Sequence, residues 1–279
     1  MKRSITIIAL CLLTSWVYAQ DYQRTASGIK ASVADKQTDI EIQWFTPNTL
    51  RILKTPQGKV PEKKSLSVIA QPKASNIKVT TPGNGLIVMK STSLAVTLDT
   101  RTGIITYTKP DGTTLLKEQE NFKAFTAVSD AGRPTYTVYQ GFTTDKEEGL
   151  YGLGQLQNGK MMQRDMTKHL VQGNVEDVSP FFQSTKGYGL FWDNYSGTTY
   201  TDNERETSFR SEVGDCIDYY FMYGGSADGV IAEVRTLTGN VPMMPLWSYG
   251  FMQSKERYKS QEETVGVVKK HRELGLPLD

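Results

Sequence analysis

The stretch GLIVMKSTSLAVTLDTRTGIITYTKPDGTTLLKE, residues 85–118, decides the fold class. Its apolar runs are short and alternate with polar residues, the period of a strand with one buried face. DTRTG (99–103) and KPDG (109–112) punctuate them, and Asp and Gly there supply turn conformations that other residues resist. The pattern predicts a meander of about four strands. The same signal continues outward. TDIEIQWF (38–45) sets Ile40, Ile42 and Trp44 against polar neighbours, and TPNT turns the chain into LRILK (50–54). RPTYTVYQGF (133–142) and SFRSEVGDCIDYYFMYGG (208–225) also read as strands, and many short strands at regular spacing predict a sandwich.

Two segments break the pattern. SADGVIAEVRTLTG (226–239) reads as a helix with Val230, Ile231, Val234 and Leu237 on one side and Gly239 as its stop. SQEETVGVVKKHRELG (260–275) has capping-box spacing at Ser260 and Glu263, basic residues in its last turn, and Gly275 as its stop. Between them LWSYGFMQ (246–253) reads as a buried strand after a proline-containing junction. Strand, helix and the start of another strand make one βα unit, which needs further parallel strands to be covered.

Composition narrows the function. Lys+Arg is 32 and Asp+Glu is 30 over 279 residues, with no basic stripe, which argues against nucleic acid or an anionic membrane as partner. Lys2 and Arg3, the apolar run Ile5–Val17 and Ala19 before Gln20 read as a signal peptide over residues 1–19, so the mature chain is expected to be exported, periplasmic or extracellular, and free of the membrane. Cys216 is then the only mature cysteine and is expected to be a buried structural thiol. His169 and His271 are the only histidines. His271 suits a helix C-terminus, and His169 falls in a polar stretch read as a solvated loop. No metal-ligand spacing, phosphate loop or serine-nucleophile motif is present, so no metal or cofactor is implied. GYGLFWDNYSG (187–197) is glycine-rich, and its glycines read as tight turns or close backbone approach.

Four blocks, in this order and spacing, resemble glycoside hydrolase family 31: LYGLGQ (150–155), PFFQSTKGYGLFWDN (180–194), LTGNVPMMPLWSYGFMQS (237–254) and HRELGLPLD (271–279). GLGQ, where many α-glucosidases of the family carry GLGE, looks more like the α-xylosidase branch. The resemblance implies a mainly β fold: a galactose-mutarotase-like sandwich over residues 20–238, then the first βα unit of a (β/α)8 barrel over residues 239–279. It implies a retaining α-glycosidase acting on plant-type oligosaccharides, with two aspartates on later barrel strands as nucleophile and acid/base. Both would lie beyond Asp279, and such a barrel takes about 250 residues. The 279-residue chain is therefore expected to be an incomplete product, inactive alone, that pairs with a separately encoded barrel or holds sugar as a non-catalytic module. Asp279, at the start of a strand, is expected to be structural.

The resemblance also implies substrate-binding residues. A sandwich loop that reaches the barrel mouth corresponds to the segment between YGLGQ and SPFF, where Gln172, Asn174 and Asp177 carry groups able to bind sugar hydroxyls in pairs or to cap turns. Gln253 and Arg257 follow the first barrel strand, on the face where barrel loops build active sites. Arg257 has Glu256 or Glu262 as an alternative partner. Trp44 and Trp192 are candidates for stacking on sugar rings, although Trp44 fits the alternating apolar face of a core strand. Leu246, Trp247, Phe251, Val265 and Val268 are expected to leave the tail with exposed apolar surface.

Overall fold

Alternation of buried and exposed side chains builds two antiparallel sheets in the computed structural model, which describes residues 22–33, 37–61, 63–73, 76–120 and 124–279. The signal-peptide expectation falls outside these residues. In chain order the first strands are β1 (Tyr22–Arg24), β2 (Gly28–Val33), β3 (Thr38–Thr46), β4 (Thr49–Pro56), β5 (Lys78–Gly83) and β6 (Leu86–Lys90). β7 (Ala95–Asp99), β8 (Ile104–Thr108), β9 (Thr114–Glu118), β10 (Phe125–Asp130), β11 (Arg133–Thr143) and β12 (Leu150–Gln155) follow. The last are β13 (Met166–Leu170), β14 (Asp177–Ser184), β15 (Tyr188–Trp192), β16 (Thr198–Asp202), β17 (Thr207–Gly214) and β18 (Ile217–Tyr223). One sheet has eight strands in the order β1-β2-β3-β4-β18-β15-β14-β12. The other has ten, in the order β13-β16-β17-β11-β9-β8-β7-β6-β5, with β10 beside β11. The meander read from residues 85–118 is the run β6 to β9, each strand paired to the next.

The sheets meet through interleaved rings, as inner faces of a sandwich do. Phe209 of the ten-stranded sheet stacks on Trp192 (5.5 Å) and Phe182 (6.0 Å) of the other. Tyr107 stacks on Phe221 at 4.0 Å. A polar cluster sits among them. Lys54 of β4 meets Glu118 of β9 at 2.7 Å and bonds Gln140 at 3.0 Å. Glu118 also accepts from Tyr219 Oη (2.6 Å) and the Ile105 N–H (2.7 Å). A buried charge is tolerated when it is paired and hydrogen-bonded on every side, and here both sheets supply the partners.

Helix α1 (Ala227–Thr238) covers the outer face of β14, β15 and β18. Ser226 caps its N-terminus through the Gly229 N–H, and Gly239 ends it at φ 85°. Val230 and Leu237 are buried and Val234 is partly so, following the i, i+4, i+7 spacing of one face. Ile231, expected on that side, lies one residue round and is exposed. Glu233 fixes the helix by accepting from Thr46, Asn48 and Thr49 at 3.0, 2.8 and 2.6 Å. Residues 57–61 and 63–73 are irregular chain, and the later of them cross the same face, where the Ile69 and Ala70 N–H groups bond Leu237 O. Lys63 anchors them on Asp218 (2.6 Å) and Asp193 (3.2 Å). Burial works against the Lys63 charge, but Asp218 and Asp193 outweigh it and hold its pKa above the ordinary lysine value.

The chain divides into two compact units after Gly239. The second unit, residues 240–279, contains helix α2 (Gln261–Glu273). Ser260 Oγ accepts from the Glu263 N–H, as the capping-box spacing predicts. The return bond differs: Glu263 accepts from the Lys259 N–H (2.8 Å), one residue ahead of the cap. Gly275 at φ 65° and the pair Gly275 N–H to Arg272 O and Leu276 N–H to His271 O close the helix as a Schellman motif. The strand expected at residues 246–253 does not form. Leu246–Tyr249 is a 3-10 turn, and among the described residues the one backbone–backbone hydrogen bond that ties residues 246–253 to a distant segment joins the Asp279 N–H to Phe251 O. A strand needs a ladder for its N–H and C=O groups, and one such contact does not supply it. Leu246, Trp247, Phe251, Val265 and Val268 are all exposed. No helix among the described residues is long and apolar enough to cross a membrane.

Candidate functional site

The block LYGLGQ forms an edge strand with a bulge. Gly152, Leu153 and Gly154 all take positive φ (133°, 65° and 93°), and the register against β14 shifts between Gly152 and Gly154. A Cβ on Gly152 would meet the Phe181 carbonyl oxygen at 2.5 Å, and one on Gly154 the Asp177 carbonyl oxygen at 2.0 Å. Both glycines are therefore required by backbone approach. The bulge drives Leu153 fully into the core and leaves Gln155 exposed opposite Asp177.

Two connections rise from this edge. Residues 156–165 are pinned at their base. Gln163 is buried, donates its backbone N–H to Leu150 O (2.7 Å) and accepts from Tyr200 Oη (2.9 Å). Arg164 donates to Thr144 Oγ1, Asp145 O and Glu148 O at 3.0–3.2 Å and pairs with Asp202 at 3.0 Å. The other connection is the β13–β14 loop, which passes from the ten-stranded sheet to the eight-stranded one and is braced by Lys168 on Glu176 at 2.6 Å. That hydrogen bond holds the Glu176 carboxyl below its ordinary pKa.

Gln172 and Asn174 lie in this loop and Asp177 opens β14 at its end, all exposed. Gln172 Oε1 accepts the Val178 N–H at 3.1 Å, so its oxygen serves the turn and its NH2 faces outward. The structure adds Gln155 to the three. The signal was the final residue of GLGQ, read in the sequence only as a family mark. Gln253 and Arg257 belong to the second unit, exposed in its irregular stretch, with Gln253 Nε2 bonded to Ser254 O at 3.3 Å. Asp279 donates its N–H to Phe251 O (3.1 Å), and its Oδ2 accepts the Phe251 N–H (3.2 Å).

Trp192 and His169 differ from expectation, whereas Trp44 is a core residue and Cys216 a buried thiol, as their sequence contexts suggest. Trp192 is fully buried, with Nε1 donating to Ser211 Oγ at 2.8 Å, so it cannot stack on a sugar; Trp44 is equally buried. His169 lies in strand β13, not in a loop, with Nδ1 3.3 Å from Thr199 Oγ1 and Nε2 3.7 Å from Glu212. Cys216 is a free, buried thiol in the turn between β17 and β18, and burial first, then the Asp218 charge, pushes its pKa up to about 12. Among the described residues no cluster of His, Cys, Asp or Glu has the makings of a metal site.

The chain forms a two-sheet sandwich with a glycine-bulged edge and an amide-rich loop between the sheets, and residues 39–200 match the family profile described as the glycosyl hydrolase 31 N-terminal galactose mutarotase-like domain. Residues 241–279 match the profile of the glycosyl hydrolases family 31 TIM-barrel domain. The chain belongs to glycoside hydrolase family 31. It is 36% identical over 251 residues to an alpha-xylosidase of Saccharolobus solfataricus, covering 86% of this chain and 34% of that protein. It is 27% identical over 222 residues to alpha-xylosidase 1 of Arabidopsis thaliana, covering 71% of this chain and 24% of the relative. The GH31 alpha-xylosidase of Xanthomonas citri superposes with a TM-score of 0.80 at 21% identity, over 92% of this chain and 44% of that one, a likeness of fold. The chain spans about a third of the length of the first curated relatives it matches.

Proposed function

We propose that this polypeptide is the sandwich and the opening of the barrel of an exported, retaining α-glycoside hydrolase of the α-xylosidase type, acting on plant-type oligosaccharides. The observation that carries this is the 36% identity to an alpha-xylosidase over 251 residues, 86% of this chain. GLGQ in place of GLGE supports the same sugar. Sugar complexes of related proteins, a metagenomic GH31 alpha-xylosidase with xylose and the Flavobacterium johnsoniae dextranase with glucose, support a saccharide partner. In a retaining mechanism one carboxylate attacks the anomeric carbon while a second carboxyl group protonates the leaving oxygen and then activates water. This chain's part is to position the sugar. Gln155, Gln172, Asn174 and Asp177 offer amide and carboxylate groups at the bulged sheet edge, and Gln253 and Arg257 are the second unit's own candidate donors. The chain alone is inactive and requires the remaining barrel strands.

The test is steady-state hydrolysis of aryl α-xyloside and aryl α-glucoside. The 279-residue chain is expected to show none. A polypeptide carrying this chain with a whole barrel is expected to prefer the xyloside, and Asn174→Ala in it to raise KM. Turnover by the short chain overturns the division of labour, and preference for the glucoside overturns the sugar.

A further inference from the structure

Two Asn-Gly steps occur in the sequence, Asn84–Gly85 and Asn158–Gly159. Glycine after asparagine leaves the following backbone nitrogen unshielded, so both are chemically suited to attack on the asparagine side chain. The structure treats them differently. Asn84 and Gly85 form the two-residue turn between β5 and β6, with Gly83 paired to Leu86. Both take positive φ, 54° and 72°, the pattern of the tight hairpin turn. Asn84 is exposed, and among the described residues no hydrogen bond holds its amide. Gly85 is held from the far side, its carbonyl accepting from the Thr100 N–H (2.8 Å) and Oγ1 (2.9 Å). Asn158 is exposed too, but its side chain is tied at both ends. Oδ1 accepts the Lys160 N–H at 3.0 Å, and Nδ2 donates to Gln163 Oε1 at 3.1 Å. Gln163 is itself buried and bonded to Lys160 O.

We propose that Asn84 is a site of spontaneous deamidation, and that its hydrogen bonds protect Asn158, which is followed by the same residue. The Gly85 nitrogen attacks Asn84 Cγ and loses its proton. The N–Cγ bond forms, the Cγ–Nδ2 bond breaks and ammonia leaves. Water then opens the succinimide at either carbonyl, giving aspartate or isoaspartate, so one water is consumed and one ammonia released. Isoaspartate adds a backbone carbon to a two-residue turn that sets the register of β5. β5 is an edge strand paired only with β6, so the lesion loosens that edge and leaves the core intact.

The two sites fall in separate tryptic peptides, residues 79–90 and 147–160, each with a single asparagine. The chain would be held at mildly alkaline pH and 37 °C, and peptide mapping would follow the amide-to-acid mass gain and the isoaspartate fraction. In the folded protein Asn84 is expected to convert at least roughly tenfold faster than Asn158, the factor that two net side-chain hydrogen bonds supply. In urea the two rates should converge. Gln163→Met, which frees Asn158 Nδ2, should raise the Asn158 rate and leave that of Asn84 unchanged. Native rates within twofold of each other, or Asn158 ahead, overturn the proposal, as does Asn84 staying intact in the folded protein while it converts in urea. The wild-type comparison decides the matter even if the Gln163 variant does not fold.

Discussion

Lys54–Glu118 in the sandwich and Lys255–Glu263 in the tail are the same ion pair in two surroundings. The first lies between two sheets, its side chains 7% and 0% exposed, with Gln140, Tyr219 and the Ile105 N–H completing it. The second stands in solvent, 49% and 33% exposed, beside the first turn of α2. The sandwich depends on its pair because every alternative partner has been excluded, whereas water can replace either member of the tail pair. The same division holds for apolar side chains. Phe182, Phe209 and Phe221 are fully buried, and Leu246 and Phe251 are exposed.

Lys54→Met should break the comparison most sharply. It strands a buried carboxylate and is expected to cost about 3–5 kcal/mol, read from urea unfolding followed at the aromatic core. Adding Glu118→Leu should recover only part of this, because Tyr219 and the Ile105 N–H then lose their acceptor. A loss under about 1 kcal/mol in the single variant would put the pair in the class of surface salt bridges. Cys216 tests the same seclusion chemically. With its pKa moved from 9.0 to about 12, native alkylation near neutral pH should be roughly a thousandfold slower than in urea, with the rate rising as pH approaches that value. Comparable rates would mean the turn between β17 and β18 opens readily.

Smaller effects belong to the tail. Ser260→Ala removes the cap on Glu263 and should cost α2 about 1 kcal/mol, visible as lost helical signal with sandwich unfolding unchanged. Lys255→Met should leave stability unaltered within error. The hydrogen bond from Lys255 holds the Glu263 carboxyl below its ordinary pKa. Its stabilising contribution is therefore present above the ordinary carboxylate value and lost as pH falls through the lowered one. Exposure and salt screening keep that loss small, and a marked acid transition in α2 that disappears in the Lys255 variant would contradict this.

The sandwich was legible because period-two alternation and turn residues at 99–103 and 109–112 carry its register locally. Both helices were legible from Ser226, Ser260, Gly239 and Gly275, whose capping chemistry acts within a few residues. LWSYGFMQ was misread because an apolar run becomes a strand only when a neighbour completes the ladder, and that neighbour is not written in the run. His169 was misread for the converse reason. In MTKHL Lys168 interrupts the inward face of Met166 and Leu170, which hides the alternation, and it is a strand because β16 pairs with it through five residues. Trp192 looked free to bind sugar because nothing local reveals that Phe209 and Ser211, on another sheet, enclose it. In the candidate site Gln172, Asn174 and Asp177 are legible because the family resemblance points to their segment and their side chains carry amide and carboxylate groups. Gln155 joins them only through the bulge at Gly152–Gly154, a three-dimensional fact.

The placement of the indole rings gives the protein a built-in optical report. Trp44 and Trp192 are fully enclosed, while Trp247 is 58% exposed. Emission from the first two should be blue-shifted and inaccessible to a soluble quencher such as acrylamide, and emission from Trp247 red-shifted and readily quenched. With the fourth tryptophan, Trp16, replaced by Phe, quenchable intensity follows whatever settles onto residues 246–249, and protected intensity follows the integrity of the two sheets, from a single unlabelled sample.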